Sequence, residues 1–264
     1  MQHFGFAMNA LSLRNARQKA DALVSGLRHT VRFVRRRHAV VSRCDDLFID
    51  AAFPTVDFRD LIGSDAPMLT PVLRFWPDLY GDVSWQELVV LSSLVAVRRP
   101  RRIFEFGTFV GKTTFHLASN APADATIFTL DLPVDGFEGY LAHAPYDRDL
   151  LVEGRRREVG ACFRGTTAAG KIHQLFCDSR SFDESPYRGT IDLVFVDADH
   201  TYDSVRSDTL KALRMLGDSP VRLILWHDTY AGSEAERALF DLRAETGPVA
   251  RIRGTSLAVL TPRR

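Results

Sequence analysis

The sequence lacks long hydrophobic runs, paired cysteines and a basic, apolar leader at its start. Its longest apolar stretches, such as residues 193–196 and 223–226, are far shorter than the ~18 residues that a membrane span needs, so they are typical of buried strands. The three cysteines, Cys44, Cys162 and Cys177, form no C-x-x-C pair, which argues against a disulfide framework and against a zinc knuckle. Because no secretory signal is evident, we predict a cytoplasmic protein.

Charge is balanced over the whole chain but not along it. The 264 residues carry a formal net charge of +1, yet residues 1–43 hold nine Lys or Arg against one Asp, a net +8 that leaves −7 for the rest. A domain that binds a duplex carries its basic surface on the fold itself, so we predict no nucleic-acid partner. The composition, 45% hydrophobic and 25% charged, is that of one globular domain with an extension.

The basic segment has the periodicity of an amphipathic helix, with apolar residues every three or four positions. These residues are Leu13, Ala16, Ala20, Leu23, Leu27, Val31 and Val34. Four alternatives stay open for it: a homodimer contact, a cover over the active site, peripheral contact with an anionic membrane surface through residues 32–37, and packing on its own protein. An Arg-rich, acid-poor start also resembles an organelle transit peptide, although Ser enrichment is absent.

Prolines predict a connector after this segment. Pro54, Pro67, Pro71 and Pro77 interrupt residues 44–80, so turns and short helices are expected there. We therefore predict two regions, an N-terminal helical extension with its connector over residues 1–80 and a catalytic domain over residues 81–264.

From residue 84 onward the pattern alternates between helices and strands. Ser84 and Glu87 have capping-box spacing before a helix that Pro100 stops. The predicted strands are Arg102 to Phe106, Thr126 to Leu130, Ile172 to Phe176, Ile191 to Val196, Arg222 to Trp226 and Ser256 to Leu260, and the predicted helices are Thr113 to Asn120, Tyr202 to Leu216 and Ser233 to Thr246. This pattern predicts an α/β fold with a largely parallel sheet covered on both faces. Ligands of such sheets bind at the carboxyl ends of the strands.

Residues 103–114 are typical of a buried strand, a glycine loop and the start of a helix. A phosphate-binding P-loop needs four residues between its glycines, but only three separate Gly107 from Gly111, although Lys112 and Thr113 follow. A dinucleotide loop needs a middle glycine, and that position is Phe109.

A sulfonium ligand fits the loop better, because S-adenosylmethionine carries no phosphate and is attracted by carboxylates. Glu105 precedes the loop, Asp131 ends the next strand about 20 residues beyond Gly111, and Asp178 ends the third. An acid at the second of these places typically meets ribose hydroxyls, and Asp178 could accept from the adenine amino group. Three acids at three strand ends predict a crevice for a cationic ligand.

The pattern resembles the class I S-adenosylmethionine-dependent methyltransferases, and most of all the bacterial O-methyltransferase-like group called methyltransferase domain family 24. The resemblance covers about residues 84 to 262 and is carried by Glu105 to Gly111, Gly160 to Asp178, Val196 to Tyr202 and His227 to Thr229. It implies a Rossmann-like seven-stranded sheet whose final strand, here Ser256 to Leu260, is antiparallel. The predicted donor-binding residues are Glu105, Gly107, Thr108, Gly111, Thr113, Asp131, Asp178, Ser179 and Asp197.

Two polar clusters, residues 197–200 and 227–228, follow adjacent predicted strands. In cation-dependent O-methyltransferases, which this layout resembles, an Asp and an acidic pair at these places bind Mg²⁺. Asp197 and Asp228 match that pattern, while His227 replaces one oxygen ligand. The predicted metal ligands are therefore Asp197, Asp228 and His227, for Mg²⁺ or for another divalent cation that tolerates nitrogen.

Methyl transfer to a hydroxyl needs a base or a metal. His200 is our first choice of base, His227 is the rival, and Asp199 is the predicted orienting partner of either imidazole. We predict methyl transfer to a hydroxyl oxygen of a small molecule. The alternatives are a catalytically inactive methyltransferase-like scaffold and a nucleotide hydrolase with a shortened phosphate loop.

The interval from Asp131 to Ile172 is longer than an ordinary crossover between strands. It contains the aromatic residues Phe137, Tyr140, His143 and Tyr146. We predict either a lid with an apolar wall for the acceptor or a small satellite core.

Overall fold

A computed structural model describes residues 53–63, 69–76, 82–133 and 158–260. All of them belong to one compact unit, Phe48–Arg264. The predicted amphipathic helix, most of the predicted lid and its four aromatic residues lie outside the described residues, so the expectations for them stay predictions.

The described elements form one eight-stranded sheet with helices around it. In chain order they are β1 (Thr55–Val56), α1 (Phe58–Ile62), α2 (Trp85–Arg98), β2 (Arg102–Phe106), α3 (Lys112–Asn120), β3 (Thr126–Asp131), a 3₁₀ turn (Thr167–Lys171), β4 (Ile172–Phe176), a 3₁₀ turn (Ser185–Tyr187), β5 (Leu193–Val196), α4 (Tyr202–Met215), β6 (Leu223–Trp226), α5 (Glu234–Asp241), α6 (Arg243–Thr246), β7 (Val249–Ile252) and β8 (Ala258–Leu260). The strand order is β1-β7-β8-β6-β5-β2-β3-β4. β8 runs antiparallel to both of its neighbours, and all other pairs are parallel.

Strand side chains alternate between two hydrophobic cores. Leu193 and Phe195 of β5 pack with α2 and α3 on one face of the sheet, while Val194 and Val196 pack with α4 and α5 on the other. Every residue of β5 and β6 is buried, as expected for the centre of a sheet that is covered on both faces. No helix among the described residues is long and apolar enough to cross a membrane.

The α/β fold with a mostly parallel, Rossmann-like sheet is confirmed, and so is the antiparallel final strand. The capping box at α2 is present in both directions, since Ser84 accepts from the backbone of Glu87 and Glu87 accepts from the backbone of Ser84. The predicted helix over 233–246 is divided at Leu242 into α5 and α6. Most strand ends lie within two residues of the prediction.

The sheet has eight strands, two more than the six that the sequence located. β7 lies in a stretch where the sequence predicted no strand, and residues 55–56, which the sequence assigns to the connector, pair with it. The pairing is backbone-directed: Arg251 N–H donates to the carbonyl of Pro54 at 2.9 Å and Arg253 N–H to that of Val56 at 3.0 Å. A two-residue strand has no periodicity to reveal it. The division of the chain near residue 81 stays a prediction.

The chain winds from β2 outward to β4 and then crosses back to β5 and β6 on the other side of β2. The order therefore reverses between β2 and β5. Open α/β sheets bind ligands at such a reversal, outside the carboxyl ends of the strands, so the residues that follow β2, β3, β5 and β6 are the ones to examine.

Candidate functional site

The glycine loop after β2 is shaped by the neighbouring strand end. Gly107 has φ +94°, and a Cβ there would lie 2.1 Å from the carbonyl oxygen of Asp197. Gly111, at the start of α3, has φ +81°, and a Cβ there would lie 2.6 Å from the ring of Phe163. Both positions need glycine, because an added methyl group would separate the loop from the chain that packs against it.

Asp131, at the end of β3, supports the loop. Its Oδ2 accepts from the backbone N–H of Thr108 at 3.0 Å and of Phe109 at 2.7 Å. Phe109 has a left-handed φ of +49°, a strained conformation that these bonds help to maintain. Oδ1 accepts from the N–H of Leu132, the next residue in the chain. The predicted contact of Asp131 with a ribose stays a prediction.

Glu105 lies fully buried beneath the loop. Its Oε2 accepts from the hydroxyls of Thr114 and Thr129, and its Oε1 has no hydrogen-bond partner among the described residues. Burial raises the pKa of Glu105 to about 8, and the nearby charges of Asp197 and Asp131 act in the same direction against the two threonine bonds. Without a cation beside it, this carboxyl is therefore neutral at pH 7, whereas the sequence suggested a carboxylate.

The loop after β4 holds Asp178 and Ser179. Both oxygens of Asp178 contact Arg180, with Oδ2 at 2.7 Å from the guanidinium. Burial opposes ionisation of Asp178, but the bonds and charge of Arg180 outweigh it and lower the pKa. Ser179 Oγ donates to Oδ2 of Asp208 at 3.0 Å, so the donor-binding residue predicted here is tied to an acid in α4 that the sequence gave no reason to select.

The structure brings the two predicted polar clusters together at the ends of β5 and β6. His227 is the most buried member, with 1% of its side chain exposed. Its Nδ1 lies 2.9 Å from Asp197 Oδ1 and 3.6 Å from Asp228 Oδ2, and its Nε2 lies 3.3 Å from Glu87 Oε2. Burial by itself would lower the pKa of this imidazole, but its three carboxylate neighbours raise the pKa well above the ordinary value.

His200 is the more accessible imidazole, with 31% of its side chain exposed. Its Nε2 lies 3.2 Å from Asp228 Oδ2 and 3.7 Å from Asp197 Oδ1. Nε2 itself is buried, so the exposed surface of the ring belongs to its other atoms. Asp228 has a left-handed φ of +52°, and such strain is frequent at functional sites.

Asp199 lies at the start of α4. Its carboxylate accepts from the N–H and hydroxyl of Thr201 at 3.0 and 2.9 Å, and from the hydroxyl of Ser204 at 2.7 Å. These bonds hold the turn just before α4, whose N-cap residue is Thr201. They lend no support to the predicted role of Asp199 as the orienting partner of an imidazole, which stays a prediction.

Asp197, His200 and His227 offer ligand atoms that all lie within 4.8 Å of one another. Asp197 and His227 of this set are predicted ligands and His200 is not. Asp228, the third predicted ligand, adjoins the set, with Oδ2 3.2 Å from His200 Nε2 and 3.6 Å from His227 Nδ1, and its role as a ligand stays a prediction. Two imidazoles with one carboxylate do not fit Mg²⁺, which prefers an all-oxygen shell, but they fit a divalent cation that accepts nitrogen, such as Zn²⁺ or Fe²⁺. A carboxylate, Glu87, also lies behind His227, at the ring nitrogen opposite to the one that faces Asp197, as is usual for metal-bound histidines. Asp228, in contrast, faces the same nitrogen of His200 as Asp197 does.

In a P-loop the lysine at this position contacts a phosphate, but Lys112 contacts side chains of the protein itself. Its Nζ lies 3.1 Å from Asp82 Oδ2, and both side chains are nearly fully buried. The same ammonium lies 4.4 Å from the centre of the Trp85 ring. Thr113, beside it, is buried too. This arrangement does not favour the nucleotide-hydrolase alternative.

A family model described as "Methyltransferase domain" matches residues 104–229. A curated relative, the caffeoyl-CoA O-methyltransferase of Stellaria longipes, is 26% identical over 148 residues, and the match covers 56% of this chain and 56% of that protein.

Solved structures with a similar chain include three methyltransferases. TomG from Streptomyces achromogenes, an O-methyltransferase solved with S-adenosylmethionine, is 20% identical with a TM-score of 0.46, covering 71% of this chain and 83% of that one. The O-methyltransferase from Bacillus cereus, solved with S-adenosylhomocysteine, is 18% identical with a TM-score of 0.45, covering 70% and 84%. PaMTH1 from Podospora anserina is 16% identical with a TM-score of 0.49, covering 72% and 83%.

Proposed function

We propose that the protein transfers a methyl group from S-adenosylmethionine to a hydroxyl oxygen of a small molecule, and the match of residues 104–229 to a methyltransferase family model supports this proposal. One observation carries the proposal. A partly exposed imidazole, His200, and a buried one, His227, share two carboxylates at the ends of β5 and β6. This cluster adjoins the glycine loop at the point where the strand order reverses.

The donor side favours a sulfonium over a phosphate. The backbone N–H groups of Thr108 and Phe109, which a phosphate would need, already donate to Asp131. Below them, Glu105 has one oxygen without a partner among the described residues. A cation that approached this oxygen would favour its ionised form. We therefore assign the loop residues Gly107, Thr108 and Gly111, with Glu105 and Asp131, to donor binding.

His200 is the proposed general base. A hydroxyl is a poor nucleophile until its proton leaves, and general-base catalysis typically contributes about 10²–10⁴-fold. Because Nε2 of His200 faces the carboxylates of Asp228 and Asp197, Nδ1 is the nitrogen that accepts the proton from the acceptor hydroxyl. The two carboxylates then stabilise the imidazolium. His227 is fully buried and both of its ring nitrogens contact carboxylates. We therefore assign it a positioning role and not that of the base.

The same cluster would also hold a divalent cation that accepts imidazole, through Asp197, His200 and His227. Such an ion, when bound, lowers the pKa of a coordinated hydroxyl. Because His200 cannot be both a ligand and the base, the two versions differ in one measurable respect. A chelator abolishes turnover in the metal version and leaves the rate unchanged in the base version.

Calorimetry with S-adenosylmethionine tests the donor, and formation of S-adenosylhomocysteine with a panel of hydroxyl acceptors tests the reaction. We expect His200→Ala to lower turnover about 100-fold or more with donor affinity unchanged. His173→Ala is the matched control, because His173 is an exposed imidazole in edge strand β4.

Absence of binding heat with folded protein would contradict the proposed donor. An unchanged rate in His200→Ala would remove His200 from the mechanism. Donor binding without S-adenosylhomocysteine on any acceptor would favour the inactive scaffold.

A further inference from the structure

Glu87 is a buried carboxylate whose contacts reach three separate parts of the chain. It lies in the first turn of α2 and is 4% exposed. Its Oε2 accepts from the N–H and hydroxyl of Ser84 at 2.9 and 2.6 Å and lies 3.3 Å from Nε2 of His227. Its Oε1 accepts from the N–H and hydroxyl of Ser256, both at 2.7 Å.

A helix cap alone does not account for this arrangement. The capping box satisfies the backbone at the helix start and needs only the contacts with Ser84. Capping does not require the carboxylate to be buried, and burial of a carboxylate costs free energy unless the charge is paired. Its partner is His227, on a strand end 140 residues further along the chain.

The contact orients the ring of His227. Since Nε2 faces Glu87, Nδ1 faces Asp197 at 2.9 Å. Asp197 in turn lies 3.7 Å from the accessible imidazole of His200, and its carbonyl packs on the glycine loop. A row of polar side chains, buried at Glu87 and His227 and partly exposed at Asp197 and His200, thus leads from α2 to the centre of the site.

We propose that Glu87 is a positioning residue of the active site, which accepts a hydrogen bond from Nε2–H of His227 and thereby directs Nδ1 toward Asp197 and the crevice. The part of the proposal that concerns turnover rests on the proposed function. The consequence is that α2, which precedes residues 104–229, contributes a residue on which the site depends. Carboxylate partners of this kind fix the tautomer and orientation of an imidazole, and their loss typically costs about 10- to 100-fold in activity or metal affinity where the imidazole binds a metal.

The test begins with the wild-type protein and needs neither donor nor acceptor. Long-range ¹H–¹⁵N correlation spectra of protein labelled with ¹⁵N-histidine report which ring nitrogens carry hydrogen, and His227→Gln identifies the signals of His227. We expect Nε2 of His227 to be protonated in the wild-type protein. An unprotonated Nε2 overturns the proposal without any variant at Glu87.

Glu87→Gln then removes the charge of the side chain, and Glu87→Ala removes the whole carboxylate. The Nε2 signal should shift in both variants, and turnover should fall about tenfold or more while the KM for the donor stays within about twofold. Ser84→Ala is the matched control, because it removes the capping partner of Glu87 but leaves the contact with His227 in place. In this control the Nε2 signal and the rate should stay as in the wild type.

Two outcomes would overturn the proposal. One is an unchanged Nε2 signal in folded Glu87→Ala, and the other is a rate loss in Ser84→Ala equal to that in Glu87→Gln. Failure of the proposed function would show differently, as absence of donor binding in a wild-type protein whose His227 spectrum is as expected.

Discussion

Replacement of Glu105 by Gln tests the electrostatics on which the donor site depends. Burial of Glu105 raises its pKa from 4.5 to about 8. Gln has nearly the same shape and can still accept from Thr114 and Thr129, but it never ionises. The comparison therefore isolates the cost of carrying a buried carboxyl.

The sign and the size follow from proton linkage. Between pH 4.5 and 8 the folded protein holds a proton on Glu105 that the unfolded chain has lost, so the free energy of unfolding falls as pH rises. The stabilising contribution is complete below pH 4.5 and is lost by about pH 8. Each pKa unit corresponds to about 1.4 kcal/mol, so the total is on the order of 5 kcal/mol at most. That is a large share of the ~5–15 kcal/mol that folds a typical domain.

Urea unfolding at pH 5, 6, 7, 8 and 9 measures the effect for the wild type, for Glu105→Gln and for a control, Asp218→Asn, whose side chain is fully exposed. The stability of Glu105→Gln relative to the wild type should rise from pH 5 to pH 8 and then level off. The control should follow the wild type at every pH. A difference between Glu105→Gln and the wild type that is the same at pH 5 and at pH 9 would refute the reasoning.

The same variant tests the link to the donor. If the cationic donor lies beside Glu105, binding at pH 7 ionises the carboxyl and releases close to one proton, and Glu105→Gln releases none. Calorimetry in two buffers with different ionisation enthalpies measures the protons released. Equal release by the two proteins would separate Glu105 from the donor site.

Three further predictions concern the glycine loop, a second buried acid and a metal. Gly107→Ala should abolish donor binding in calorimetry, because its Cβ would lie 2.1 Å from the carbonyl of Asp197, whereas Gly170→Ala, with nothing within 4 Å, should bind normally; normal binding by Gly107→Ala would contradict the close approach. Asp208→Asn should be more stable than the wild type at pH 8, by up to about 4 kcal/mol in urea unfolding, and not at pH 4. The reason is that burial raises the pKa of Asp208 from 3.8 to about 7, so equal differences at both pH values would disprove the titration. Calorimetric titration of metal-free protein should show tighter binding of Zn²⁺ than of Mg²⁺, and a preference for Mg²⁺ would contradict the nitrogen-rich ligand set.

Much of the fold could be predicted because its signals are local. The residues from Arg102 to Phe106 form a strand, and residues 112–120 form a helix, as hydrophobic periodicity and the intervening glycines indicate. Parallel strands place their carboxyl ends at one edge, so the sequence was sufficient to predict that His227 lies close to Asp197, as the structure shows. It was insufficient for β1, whose two residues are selected only by the exposed backbone of β7.

For the site, too, the sequence predicted local features but not contacts between distant segments. Sequence spacing explained Glu87 as a capping residue, and only the packing of α2 against the ends of β6 and β8 revealed its contacts with His227 and Ser256. The helical position of Asp208 gave no sign that its carboxyl would meet the hydroxyl of Ser179.

The amino-acid order by itself determined which residues follow each strand, and with them the loop, the acids and the two imidazoles of the site, because strands, turns and caps depend on neighbours in the chain. Only the tertiary structure decided the protonation and pairing of those groups. Burial without a counter-charge raises the pKa of Glu105 to about 8, whereas the pKa of His227, which burial alone would lower, is raised well above its ordinary value by three carboxylates. Solvation and contacts between distant segments set these properties, and a linear pattern does not encode either one visibly.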